Sequence, residues 1–318
     1  GHAPTLQRTL PLDALFHNAS VPLAAALSVL TLFKFAGIRL SCAAKDPMPK
    51  DTAPKSKFDA YMEKLAADPS RIGILTEGDS WFAFPLPSRP NIVDVLISRF
   101  GSRAAWLRLE GNGDEVRIMQ SGTQWERLFS MLTRPRARFD LILFSGGGND
   151  IVGRCLLPLL RQREAWMTWR DCVHEERFQR RMDQIEGAYH ELMALRDDFH
   201  PAAWVFTHEY DRVIPSNRPI RLGLLRMGPW MKPYLDEKGI TDPQEQRELM
   251  NHLLERFSQM LQKLEQRYPR FYHVRTQGTL GDGDWGDEIH PNREGFQKIA
   301  ARIQEGICEE FPTLPKVS

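Results

Sequence analysis

From Ile72 onward, short apolar runs alternate with long helical patterns, and no other feature constrains the fold as tightly. Ile72 to Thr76 (IGILT), Trp106 to Leu109, Phe139 to Phe144 (FDLILF), Ala203 to Thr207 (AWVFT) and Tyr272 to Arg275 each read as a short strand. Between them lie stretches with helical spacing. The clearest runs from Gln244 to Tyr268, where Leu249, Leu253, Phe257, Met260, Leu261 and Leu264 recur at three- and four-residue steps on one face. Strands that are apolar throughout, rather than alternately, need cover on both faces. Five of them separated by helices therefore imply a parallel sheet between helical layers. In such sheets ligands bind in the loops beyond the C-terminal strand ends.

Composition narrows the partners. Among 318 residues, Lys+Arg number 42 and Asp+Glu 41, for a net charge of +1. The basic excess that nucleic-acid binding requires is missing. With 42% hydrophobic and 26% charged residues the chain is globular in composition. Its cysteines (Cys42, Cys155, Cys172, Cys308) are too sparse for a disulfide scaffold and contain no C-x-x-C pair for zinc.

The first fifty residues differ from the rest. Leu10 to Leu40 is mostly apolar but is interrupted by Asp13, His17, Asn18, Pro22 and Lys34, short of the roughly 20 apolar residues of a membrane-spanning helix. Arg8 and the small-residue pair Ser41-x-Ala43 fit a secretory signal. An anchor touching a membrane, a packed amphipathic helix and an ordinary leader fit the same residues. Whether the protein is cytoplasmic, exported or tethered turns on residues 1–43. Lys45 to Lys57 reads as a solvated Lys/Pro linker. The expected organisation is a leader and linker over 1–57, then one domain over 58–318 with insertions at about 151–198, expected to be helical, and 208–240.

Four short blocks carry chemistry, each after a predicted strand. Gly78-Asp79-Ser80 puts a hydroxyl at a strand-to-turn junction, where the amides of a helix start favour an anion. Glu110-Gly-Asn-Gly113 offers glycine amides without side chains in the way. Ser145-Gly-Gly-Gly-Asn149-Asp150 places an asparagine amide beside a bare backbone. In Asp287-Glu-Ile-His290 the three-residue spacing lets the carboxylate hold one imidazole nitrogen while the other takes a proton from a serine. Alone, the serine, glycine and Asp-x-x-His blocks read more readily as ordinary turns, and the asparagine block reads equally well as one. Together they supply a nucleophile, oxyanion donors, a base and an orienting acid.

With these residues the chain resembles the SGNH (GDSL-type) hydrolase family. The serine block matches Gly78-Asp79-Ser80, the glycine block Gly113, the Gly-x-Asn-Asp block Gly147 to Asp150, and the Asp-x-x-His block Asp287 to His290. Together they span roughly Arg71 to Glu310. The second block departs most, with Glu115 where the family commonly carries Thr or Ser, and Gly111 competes with Gly113. The resemblance implies a flavodoxin-like α/β/α fold with a five-stranded parallel sheet in the order 2-1-3-4-5. It also implies ester hydrolysis through an acyl-enzyme, with no cofactor or metal. Ser80, Asp287 and His290 are the expected catalytic residues; Ser80, Gly113 and Asn149 are the expected oxyanion hole. The substrate expected is a small-molecule, lipid or sugar ester.

Trp81, Phe82 and Trp285 flank these blocks and are candidates for substrate walls, although core packing is the commoner fate of such residues. Gly281 to Asp287 has the acid spacing of a calcium loop but has Arg293 where the twelfth-position glutamate belongs; it reads as a flexible turn delivering Asp287. Three other readings stay open on the sequence. They are acyl transfer to an alcohol by the same residues, metal-dependent hydrolysis through Asp79, Asp287 and His290, and a non-catalytic binding module.

Overall fold

The computed structural model describes residues 56–84, 89–111, 123–222 and 225–316. The apolar leader and Gly113 lie outside the described residues. Helix α1 (Lys57–Ala67) is capped by Ser56, whose hydroxyl accepts the Asp59 amide at 3.1 Å, and packs on the second strand. Strands β1 (Ile72–Gly78), β2 (Ala104–Arg108), β3 (Leu141–Ser145) and β4 (Trp204–His208) follow, with helices α2 (Ile92–Phe100), α3 (Thr123–Leu132) and α4 (Glu175–Phe199) between them. A small hairpin, β5 (Ile220–Leu222) and β6 (Leu225–Met227), precedes helices α5 (Lys232–Glu237) and α6 (Pro243–Arg267). Strand β7 (Phe271–Val274) and helix α7 (Arg293–Glu310) close the domain.

The central sheet is all parallel in the order β2-β1-β3-β4-β7. With the separate hairpin left out of the count, this is the expected 2-1-3-4-5. Helices α2 and α7 pack together, as do α3 with α4 and α4 with α6, giving three layers. Ile74, Leu75, Leu141, Ile142, Val205 and Phe206 are buried, as strands covered on both faces must be. The periodic stretch 244–268 is α6, with Pro243 in its first turn and Asp242 accepting the Glu245 amide at 2.9 Å. Its predicted apolar face is the buried one.

The insertions depart from simple helices. Only the second half of 151–198 is α-helical. Its first half is 3₁₀ turn (Gly153–Leu159) and irregular chain, closed by a bridge between Leu160 and Val173. Pro158, which has no amide to donate, sits inside that turn. The described residues of the connection 209–240 have no regular secondary structure apart from the hairpin and α5. Among the described residues no helix is long and apolar enough to cross a membrane.

Candidate active site

The first block forms a tight turn off β1. Gly78 lies so close to β3 that a Cβ would fall 2.7 Å from the Ser145 carbonyl oxygen, so only glycine lets the strands approach here. Beyond it, the Phe82 and Ala83 amides donate to the Asp79 carbonyl at 3.0 and 2.9 Å, and the Trp81 amide donates to Asp79 Oδ1 at 3.0 Å. The Ser80 amide is left without an acceptor among the described residues. The turn also aims Ser80 Oγ at the last block, 2.7 Å from His290 Nε2.

That block is a buried, self-bonded turn. Asp287 Oδ1 accepts the amides of Ile289 (3.1 Å) and His290 (3.0 Å), and the carboxylate holds His290 Nδ1 at 2.9 and 3.1 Å. With Nδ1 donating to the carboxylate, Nε2 presents its lone pair to Ser80. Phe84 and Trp230 pack against the imidazole, at 4.9 and 5.2 Å between ring centres. Arg89 lies 3.8 Å from Asp287 Oδ2, and burial lowers its pKa. The preceding loop is pinned rather than flexible: Lys298 Nζ binds both Asp284 carboxylate oxygens at 2.7–2.8 Å, and Asn292 Nδ2 donates to the Gly283 carbonyl at 2.8 Å. Trp81 joins the two blocks, donating from its indole to the Ile289 carbonyl at 2.9 Å.

A second Ser-His-Asp cluster lies beneath the first and has the wrong proton order for catalysis. His208 Nε2 is 2.8 Å from Ser145 Oγ, but His208 Nδ1 accepts the Tyr210 amide at 3.3 Å. The proton of a neutral ring then sits on Nε2, which donates to Ser145, while Ser145 donates to Asp79 Oδ1 at 3.1 Å. Tyr210 donates its hydroxyl to the other Asp79 oxygen. Burial pushes the His208 pKa down to about 3, so the ring is neutral near pH 7. Burial also raises the Asp79 pKa, against the pull of its three donors. The cluster supports the turn that carries Ser80.

Asn149 opens a short 3₁₀ turn after the glycine-rich loop. Gly147, at φ +110°, passes where a Cβ would fall 2.6 Å from the Phe257 ring. Asn149 and Ser80 line one cavity of about 30 Å³ with Gly148, Val152, Tyr210, Val213, Met250, Leu254 and Ile289. Of the three predicted aromatic walls, Trp81 reaches this cavity. Phe82 packs against His208 and Trp285 against Trp81, both buried and neither lining the cavity. Gly111 donates its amide to the Gly78 carbonyl at 3.0 Å, so that donor is already engaged. Among the described residues no group of three His, Cys, Asp or Glu side chains is arranged to hold a metal.

Sequence reasoning gave the block after β4 no role beyond opening the 208–240 insertion. Glu209 accepts the Ser258 hydroxyl (2.5 Å) and the Gln277 amide (2.9 Å), and its carboxylate lies 3.0 Å from His273 Nε2. Burial opposes its charge, yet these partners bring its pKa down to about 2. Asp211 accepts the amides of Gly278 and Leu280, each at 2.6 Å. The signal was available: five polar or ring-bearing residues, Thr207 to Asp211, stand at the C-terminal end of an apolar strand.

No family profile matches the chain, and no curated protein sequence matches it. Solved structures do. A carbohydrate esterase family 3 protein from Talaromyces cellulolyticus is 12% identical, with 77% of this chain and 100% of that one covered and a TM-score of 0.43. The lipase Lip_vut3 from a goat rumen metagenome is 14% identical, with 73% and 95% covered and a TM-score of 0.46. An extracellular lipase from Streptomyces rimosus is 13% identical, with 77% and 100% covered and a TM-score of 0.42. Likeness at that level says nothing of activity; the chemistry rests on this chain's own side chains.

Proposed function

We propose that this chain is a serine ester hydrolase of the SGNH type. The observation that carries the reading is the continuous relay Ser80 Oγ–His290 Nε2–Asp287, at 2.7 and 2.9 Å, buried at the C-terminal edge of a parallel sheet. A serine hydroxyl is a weak nucleophile until a base takes its proton, and imidazole is the side chain suited to do so near neutral pH.

In the proposed reaction Ser80 Oγ attacks the ester carbonyl carbon as its proton moves to His290 Nε2. Asp287 fixes the ring and stabilises the imidazolium. Negative charge collects on the carbonyl oxygen, for which the Ser80 amide, the Asn149 side chain and Gly113 are the proposed donors; that Ser80 and Asn149 line one cavity supports the first two. When the tetrahedral centre collapses, the C–O bond to the alcohol breaks and His290 returns its proton to the departing oxygen. Water then attacks the acyl-serine, giving its proton to His290, and the acid leaves as Ser80 is reprotonated. The intermediate needs no group beyond these side chains and the amides around them.

The test is hydrolysis of p-nitrophenyl acetate by the wild type and Ser80→Ala, together with labelling by a fluorophosphonate. The expected result is loss of turnover and of labelling in a variant that melts like the wild type. Undiminished hydrolysis by Ser80→Ala would end this reading.

A further inference from the structure

Glu288, between the proposed catalytic acid and base, is fully buried. Its carboxylate accepts four main-chain amides: Ser216 (2.8 Å) and Lys232 (3.0 Å) on Oε1, Met231 (2.8 Å) and Trp230 on Oε2. All four belong to the 209–240 connection. No ion pair to Glu288 is found among the described residues, so these amides stand in for a cation. The connection is thereby strapped to the catalytic turn at Ser216 and at Trp230 to Lys232. Its root is fixed separately, through Asp211 to Gly278 and Leu280. Pulling the strap away would strand a buried carboxylate, a costly state.

The strap shapes the site on two sides. Trp230 presents its ring to His290, and Val213, between the Asp211 and Glu288 clips, lines the cavity beside Ser80. Val152, Met250 and Leu254 are further apolar walls. His290 does not line this cavity. The departing alcohol must lie within reach of His290, so the alcohol belongs outside the cavity and the acyl group inside it. A volume of about 30 Å³ compares with the roughly 10–15 Å³ that one water needs. That is room for a methyl or ethyl group, and Val213 is one of the apolar walls a longer chain would meet.

We propose that this site accepts only a short acyl group, of acetyl to propionyl size, and that Glu288 is the positioning residue that imposes the limit by clamping the strap. The proposal rests on the ester-hydrolase reading above. It is tested with the full chain by measuring kcat/KM for p-nitrophenyl acetate, butyrate and octanoate with the wild type, Met250→Ala, Glu288→Gln and Glu288→Asp. The wild type is expected to favour acetate over octanoate by at least about 100-fold, within the roughly 10–200-fold that a single misfitting methylene costs at an apolar pocket. Met250→Ala, which widens the cavity without touching the clip, should raise butyrate relative to acetate. Glu288→Gln turns an amide group toward two of the four N–H donors and should shrink the acetate-to-octanoate ratio at least tenfold, mainly through KM. Glu288→Asp carries the same comparison if the glutamine variant does not fold. General destabilisation would lower all three rates together and leave their ratio unchanged, which would overturn the role of Glu288. A flat wild-type profile, with turnover still lost in Ser80→Ala, would overturn the acyl limit and leave the hydrolase reading standing. Absence of both ester cleavage and fluorophosphonate labelling would remove both.

Discussion

His208 offers a quantitative test of whether the lower Ser-His-Asp cluster is support or machinery. Its pKa is pushed down to about 3 by burial, whereas an imidazole in the unfolded chain titrates near 6.5. Above pH 6.5 the ring is neutral in both states and contributes no pH dependence. As the pH falls below that value the unfolded chain takes up a proton that the native state refuses until about pH 3. Native stability therefore drops by about 1.4 kcal/mol per pH unit across that window. Between pH 7.5 and 5.0 the loss from this one group is about 2 kcal/mol, a large share of a typical domain's stability. Urea melts of the wild type and His208→Gln at both pH values isolate it, because the other titrating groups cancel in the difference. The wild type should lose about 2 kcal/mol more than the variant. Equal losses would mean that His208 protonates in the folded protein as it does in the unfolded one, contradicting its assignment as a sealed, neutral prop.

Two further substitutions separate the roles within the site. Asn149→Ala should lower kcat by about 10²–10³ with KM little changed, because the oxyanion exists only after attack; steady-state kinetics on a short ester reads this, and a pure KM effect would move Asn149 to ground-state binding. Ser145→Ala should keep turnover within a few-fold of the wild type while costing about 1–3 kcal/mol in denaturant melts, because it leaves buried His208 without its acceptor. Loss of turnover in a folded Ser145→Ala would shift the nucleophile assignment from the upper serine to the lower.

Much of the architecture was legible in the chain because local pattern and burial agree. The runs around 72, 141 and 204 are apolar on both faces, and only a parallel sheet under two helical layers can bury them that way. The 244–268 helix was legible for the same reason, its stripe matching the face that packs inward. The three-residue spacing of Asp287 and His290 also carried its geometry with it, since a single turn closes that contact. The insertions were less legible. Residues 151–174 have helical spacing, but Pro158 and the Leu160–Val173 bridge take the chain another way. Glu288 gave no signal, because an acid in an acidic turn ordinarily faces water.

Sequence by itself determined the alternation of buried strands and helices, the place of Ser80 and Asn149 just past strand ends, and the intimacy of Asp287 with His290, because local periodicity and short spacing carry each of these. The pairing of Ser80 with an imidazole 210 residues away, the second Ser-His contact between Ser145 and His208, and the burial of Glu288 against a distant connection were decided only in three dimensions. The physical reason is the same in each case. A hydroxyl becomes a nucleophile, or a carboxylate a clip, through the donors and acceptors brought to it by remote chain, and local spacing carries no record of which remote segment arrives.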